Sequence, residues 1–253
     1  MKKRILIAFF VLMVVGCNKP NQNDDPCSQL VNGIYQYPTE PGPPDMTAEE
    51  GREYYNIPEN VLPCLSTGGL LTSCLNHQYL APFMLMAGSD GLQSGYDLMK
   101  NLHCRGIKEL ETRSGALDTL MTRYILINTT DYNTTKSPLV YGSYKYYTYC
   151  LEVFLSQEVY LKNISTTKKI ELLTDLFVKQ NFRNGQPGVL GIEGPSFVMA
   201  RLMYYSNYQP FLDIYNQDPN IRQIVTYGTQ IVENRKILII SNAQSYLNQL
   251  ANK

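Results

Sequence analysis

Tryptophan is absent from this chain of 253 residues, and histidine occurs only twice, as His77 and His103. Neither histidine belongs to an HExxH pair, so the helix-borne zinc hydrolases are excluded. There is no GxSxG, no Walker loop, no GxGxxG and no kinase-type set, which removes the nucleophile elbow, the P-loop and the dinucleotide fold. The glycine-rich stretch Gly185–Gly191 lacks both a preceding strand and a Lys-Ser/Thr pair, and reads as a loop between helices. CxxC spacing is missing, so neither a zinc knuckle nor a thioredoxin-like site is expected. No cofactor and no metal is implied. The formal net charge is zero, and nucleic-acid binding, which needs a basic face, is not expected. No apolar run is long enough to serve as a permanent spanning helix, which needs about 20 residues.

The longest apolar run, Ile5–Val15, stands at the N-terminus behind Lys2, Lys3 and Arg4 and ends in Val14-Val15-Gly16-Cys17. This arrangement resembles the signal peptide and lipobox of bacterial lipoproteins. The resemblance implies cleavage of residues 1–16, diacylation of the Cys17 sulfur and acylation of the new amine. The location it implies is the cell envelope, tethered by lipid, with the outer membrane as the expected site. Residues 1–16 carry three positive charges and no acid, so with the whole chain at zero the remainder is near −3. Asp24-Asp25, just past the acylated cysteine, resemble the acidic surface-export signals of some Bacteroidota lipoproteins.

Five further cysteines, Cys27, Cys64, Cys74, Cys104 and Cys150, are an odd number and cannot all pair within one chain. The implied compartment permits disulfides. Spacing alone leaves the pairing open, and buried free thiols packing as small apolar groups are the expected state. Tyrosine numbers 20; its apolar ring and polar tip suit half-buried seams and binding surfaces alike.

Residues 17–45 read as a flexible lipidated tether, rich in Asn, Gln, Asp and Pro, with too little apolar area to offset the ordering of the chain. From residue 46 to 253 the period is helical. Ser66 and Thr67 cap a helix whose Leu70, Leu71, Cys74 and Leu75 share a face, and Pro82 stops it. Ser89 caps a second helix through Leu92, Tyr96 and Met99. A short turn covers Ile107–Thr112, and Ser114 opens a helix through Leu117, Leu120 and Tyr124. After the polar loop Asn128–Pro138, a long helix is expected over Ser143–Leu161. The next runs through Ile170, Leu173 and Phe177 and stops at Asn184-Gly185. Ser196 caps Phe197–Tyr205. Asp218-Pro219, an N-cap followed by proline at the first helical position, opens a C-terminal helix over 219–250 that Gly228 bends or interrupts.

Two halves, about 55–127 and 139–208, share this order. A register of 82 residues relates Gly106 to Gly188, Glu111 to Glu193, Ser114 to Ser196 and Leu120-Met121 to Leu202-Met203. Ahead of this register, Leu75 and Tyr79 align with Leu155 and Tyr160 at offsets of 80 and 81. The expected fold is all-α, a HEAT- or armadillo-like superhelix closed by the long C-terminal helix. The segments Tyr55–Leu62, Leu65-Ser66-Thr67, Cys74-Leu75, Gly95-Tyr96 and Gly106–Leu110 are similar to the opening of an uncharacterised group of Bacteroidota lipoproteins. That resemblance covers roughly residues 55–205 and implies a helical body in the envelope, with no assigned chemistry.

No residue stands out as catalytic. His103-Cys104 is not a nucleophile–base pair, because adjacent helical residues point about 100° apart. Glu111 and Glu193, in equivalent places, are the one carboxylate pair that glycoside hydrolysis could use, though each also suits a helix start. Tyr141, Tyr144, Tyr146, Tyr147 and Tyr149 form the densest aromatic cluster. They line either a binding surface or a wide seam between helices. The expected function is a non-catalytic interaction or scaffold protein that binds a protein, peptide or glycan. A carboxylate-dependent glycan hydrolase and a substrate-capture lipoprotein for nutrient uptake are the alternatives.

Overall fold

The computed structural model describes residues 25–80, 91–127, 138–183 and 194–252, with the backbone alone for 138–145 and 183. Cys17 and the signal peptide lie outside the described residues, as do Ser89, Gly188 and Glu193. About 71% of the described chain is helical and almost none is strand, so the all-α expectation holds. No helix among the described residues is long and apolar enough to cross a membrane.

The folded body begins earlier than the tether reading placed it. Asp25 accepts from the Cys27 amide at 3.0 Å and opens a 3-10 turn over Pro26–Gln29. A hairpin follows, β1 (Leu30–Val31) against β2 (Ile34–Tyr35), with Leu30 opposite Tyr35. Its two turn residues, Asn32 and Gly33, both have positive φ, as a tight two-residue hairpin requires. Tyr35 is buried and its amide donates to Ser73 Oγ at 3.0 Å. Cys27 is disulfide-bonded to Cys64, 37 residues away, with Cα atoms 5.4 Å apart. A bridge over a loop of that length removes about 3–4 kcal/mol of unfolded-chain entropy. Residues 25–45 are therefore anchored to the body, and the part of the expected tether before them lies outside the described residues. The disulfide also corrects the expectation that all five cysteines are free. Cys74, Cys104 and Cys150 are free and buried.

The first half comprises α1 (Ala48–Tyr54), α2 (Thr67–Leu75), α3 (Leu92–Leu98) with a π turn over Met99–His103, α4 (Arg105–Thr112) and α5 (Ala116–Ile125). The second comprises α6 (Pro138–Leu155), α7 (Glu158–Leu161), α8 (Thr166–Arg183) and α9 (Gly194–Tyr205), followed by α10 (Gln209–Gln217), α11 (Pro219–Tyr227) and α12 (Glu233–Ala251). Thr47 and Glu50 form a reciprocal capping box on α1, and Ser66 caps α2 through the Gly69 amide. The helix expected over Ser143–Leu161 is two, α6 and α7, parted after Leu155. Ser196 does not cap; it lies inside α9 and donates to Gln180 Oε1 at 2.9 Å. The single C-terminal helix over 219–250 is also two. Gly228 takes the left-handed conformation at φ 66°, which ends α11.

α9 is the hub. Every residue from Gly194 to Met203 is buried, and the helix packs on α6, α7, α8, α10, α11 and α12. Its sequence explains this: Phe197, Val198, Met199, Ala200, Leu202 and Met203 leave no polar stripe, and a helix apolar all round belongs in a core. α2 plays the corresponding part in the first half, against β2, α4 and α5. Contacts of α5 and α3 with α6, and of α11 with α3, join the halves. The last of these brings residues far apart in sequence together, as the Leu92 amide donates to the Gly228 carbonyl at 3.2 Å. In a strictly linear array each unit meets only its neighbours; here the chain returns to its first half and closes a groove.

Candidate functional site

The groove lies where that return brings α3 and its π turn to face α7, α9 and α11. Two adjoining concavities of about 580 and 770 Å³ share Glu158, Lys162, Asn163, Arg201, Tyr205 and Thr226. Arg201, from α9, sits at the floor with 3% of its surface exposed. Its Nε donates to the Val225 carbonyl at 2.8 Å and its Nη2 to the Thr226 carbonyl at 3.0 Å. Nη1 donates to Gln93 Oε1 at 2.5 Å and to the Ser156 carbonyl at 3.3 Å. Phe197 lies under the guanidinium, 4.6 Å from ring centroid to the central carbon. All these partners are neutral. Among the described residues no carboxylate is within ion-pair distance of Arg201. Asp97 is reached only through Gln93, whose amide nitrogen donates to Asp97 Oδ1 at 2.9 Å. Burial pulls the Arg201 pKa down from its usual value, yet arginine remains charged. Arg201 therefore has neutral hydrogen-bond partners, while Asp97 and Glu158 act on its charge from a longer distance.

The wall is aromatic. Tyr204 lies 5.2 Å from Tyr205 and 4.6 Å from Tyr215, centroid to centroid. Asn207 makes this meeting possible. At φ 53° it ends α9 in the left-handed conformation, and α10 then folds back with Tyr215 toward Tyr204. Hydrogen bonding to Tyr215, then burial, raises the Tyr204 pKa, and burial raises that of Tyr205, so both rings are neutral phenols. The acids of the groove are occupied. Glu111 binds Lys100 at 3.0 Å and accepts from the Tyr96 hydroxyl at 2.9 Å; Glu158 binds Lys162 at 2.9 Å. The two pairs cancel, and Arg201 is the remaining charge of the lining, with Asp97 behind Gln93 as its nearest further answer. A further concavity of about 780 Å³, bordered by α1 and α4, is lined by charges that answer one another, Arg105 holding Glu53 at 2.7 Å; it has neither a buried cation nor an aromatic wall.

Sequence reasoning missed Arg201. A lone arginine in an otherwise apolar helix, Phe197–Met203, is the one signal that marks it. The tyrosine cluster proposed instead resolves differently. Tyr149 is buried, Tyr146 and Tyr147 are half-buried against the core, and Arg123 donates to the Tyr147 hydroxyl at 3.4 Å. The side chains of Tyr141 and Tyr144 lie outside the described residues. For the described members the seam, and not a binding surface, is what they line. Glu111 does line the groove; its expected counterpart Glu193 is outside the described residues.

The two histidines are closer than their sequence positions implied, bridged by Tyr79, whose ring lies 5.8 Å from His77 and 5.7 Å from His103. No group of His, Cys, Asp and Glu able to hold a metal occurs among the described residues. His77 is buried, with its Nδ1 accepting from the Tyr79 amide at 3.2 Å and Nε2 3.0 Å from the Tyr55 carbonyl. That pair of contacts assigns the proton to Nε2. Burial brings its pKa down to about 4. The unfolded chain, titrating near the usual 6.5, takes up this proton first as pH falls. Stability is therefore whole above pH 6.5 and declines toward pH 4, by about 3 kcal/mol for this group. Urea unfolding of wild type across that window should show the decline, and His77→Gln should show a distinctly shallower one, with the smaller part from His103 remaining. An equal slope in both would contradict the assignment.

Comparison with family models, with curated proteins and with solved structures finds no match to this chain.

Proposed function

We propose that this chain is an exported, lipid-anchored binding protein whose groove takes an acidic oligosaccharide. The observation that carries the reading is Arg201, a buried cation on the groove floor with neutral partners only, beside the tyrosine wall. A carboxylate on a sugar ring is attracted by the Arg201 charge, which no direct ion-pair partner neutralises, while neutral phenol rings stack on the apolar faces of neighbouring sugars. Asn163 and Asn207 offer amide donors and acceptors for hydroxyl groups. Deep apolar pockets, which anchor a bound peptide, are not part of the lining. The lipobox at Val14–Cys17 supports the envelope location, and the Cys27–Cys64 disulfide suits an oxidising compartment. The repeat reading draws support from the 82-residue register, because Leu120-Met121 and Leu202-Met203 both fall on buried positions of α5 and α9.

The hydrolase reading is weaker on this geometry. Glu111 and Glu158 share the groove, but each is paired with a lysine, so the described residues offer no free carboxylate pair across it.

Fatty-acid labelling tests the anchor: wild type should be marked and Cys17→Ala should not. Calorimetry with tetragalacturonate tests the groove. Tyr205→Ala and Lys162→Ala should each weaken binding at least tenfold while leaving the circular dichroism spectrum intact. Affinity unchanged in both variants would place the ligand elsewhere.

A further inference from the structure

Resting on the acidic-sugar reading of the groove, we infer that the oligosaccharide is a mixed one, whose carboxylate-bearing sugar is flanked by a neutral, apolar-faced sugar such as a 6-deoxyhexose. The acid lies over Arg201 and the neutral sugar toward α10, so the ligand enters the groove in one direction.

The two adjoining concavities share a middle and differ at their ends. The middle holds Arg201, Glu158 and Lys162. The smaller concavity adds an ion pair, Lys100 from the π turn and Glu111 from α4. The larger adds Tyr204, Tyr215, Leu212, Asn207, Asn216 and Val225, none of them charged. Arg222 is close to these in the chain, but it donates to the Asn216 carbonyl at 2.7 Å and to the Tyr215 carbonyl at 3.3 Å and is not part of the lining. At about 580 and 770 Å³ each concavity falls in the range of small-ligand sites, roughly 300–1,000 Å³, and the joined pair takes more than one ring.

The uncharged end suits a sugar that carries no acid. The Tyr215 ring is inclined 42° to Tyr204, and Tyr204 is inclined 72° to Tyr205. Rings set at such angles offer both faces and edges to one ligand, and Leu212 adds an aliphatic contact. All four side chains belong to half-buried residues, so part of their apolar surface stays open to the groove. A methyl group at C6 and the C–H face of the ring fit this lining, while the Asn207 and Asn216 amides take the hydroxyls.

A second carboxylate on the next sugar finds no such fit. Toward α10 it would meet phenols, amides and Leu212 in place of a cation, and withdrawing a charge from water without an opposite charge is costly. Lys162 is held by Glu158 at 2.9 Å, so a carboxylate that draws it away leaves Glu158 beside two acids. Toward α3 the same holds of Lys100, bound to Glu111 at 3.0 Å. Reversing the ligand would set its methyl group against this second ion pair and forfeit the aromatic contact. One acid over Arg201 and one neutral sugar on the tyrosines is the arrangement that leaves every charge of the lining answered.

Calorimetry of the full chain in detergent compares two probes of equal length: tetragalacturonate, and a tetrasaccharide that alternates galacturonate with rhamnose. The alternating probe should bind about tenfold tighter. Tyr215→Ala should abolish most of that difference with its circular dichroism spectrum intact, and Tyr215→Phe, which keeps the ring, should retain it. Equal affinity for the two probes, or tighter binding of tetragalacturonate, would overturn the mixed ligand and leave the acidic-sugar reading standing. A preference that survives Tyr215→Ala would overturn the seat at α10. Binding of neither probe would overturn the mixed ligand and the acidic-sugar reading together.

Discussion

Arg201→Met is expected to lower the unfolding free energy by about 4 kcal/mol, the largest effect of any single substitution considered. The stem of methionine fills much of the same space, so the loss is polar and not a cavity. Removing the guanidinium strands the carbonyls of Val225, Thr226 and Ser156 and the side-chain oxygen of Gln93. Each buried acceptor left without a donor costs about 1–3 kcal/mol. Water admitted from the groove recovers part of this, which sets the sum nearer the lower end. Arg201→Lys should fall between, since an ammonium keeps the charge but cannot reach four acceptors with a planar fork. Urea denaturation followed by circular dichroism gives the comparison. A loss below 1 kcal/mol in the methionine variant would mean that the acceptors are hydrated and the floor of the groove is wet.

Gly91→Ala should cost about 3 kcal/mol, through a different mechanism. Gly91 precedes α3 at φ 89°, and a Cβ on it would stand 2.1 Å from the Tyr227 carbonyl oxygen. That oxygen belongs to backbone and cannot swing aside. Tyr227 is the last residue of α11, and the next carbonyl, Gly228, accepts from Leu92. The strain thus falls on the junction that holds α3 to α11, and so on the two sides of the groove. Gly51→Ala is the matched control. It sits in α1 with nothing within 4 Å of its would-be Cβ, and should gain up to about 1 kcal/mol from helix propensity. Thermal unfolding of the two variants should move in opposite directions. A neutral Gly91→Ala would show that the α3–α11 junction yields at no cost.

Helix periodicity carried most of the fold. The caps at Ser66 and Asp218 were legible because an oxygen-bearing side chain ahead of an apolar stripe has one common use. Asn32-Gly33 between Leu30-Val31 and Ile34-Tyr35 was an equally readable hairpin signal, obscured by the polar composition around it. The Cys27–Cys64 pairing was not legible, since five cysteines at these spacings fix no partner. The break at Gly228 depends on its close approach to Leu92, whose Cβ would stand 2.8 Å from an added methyl, a tertiary cause that periodicity does not record. The groove was hidden for a similar reason. Arg201, Tyr205 and Tyr215 come from two helices and a left-handed turn at Asn207, and their partner Gln93 lies 108 positions away in the chain. The tyrosines between 141 and 149 drew attention by density alone, and density does not separate a seam from a surface.

The central claim is that the charge of Arg201, which has no direct ion-pair partner among the described residues, selects an acidic sugar. Isothermal titration of the wild-type chain with tetragalacturonate and with its fully methyl-esterified form tests this most directly, because esterification removes the negative charges and keeps the sugar backbone. The account predicts measurable binding of the acid that weakens as salt is raised, and at least tenfold weaker binding of the ester. Equal affinity for both, or none for either, would contradict it.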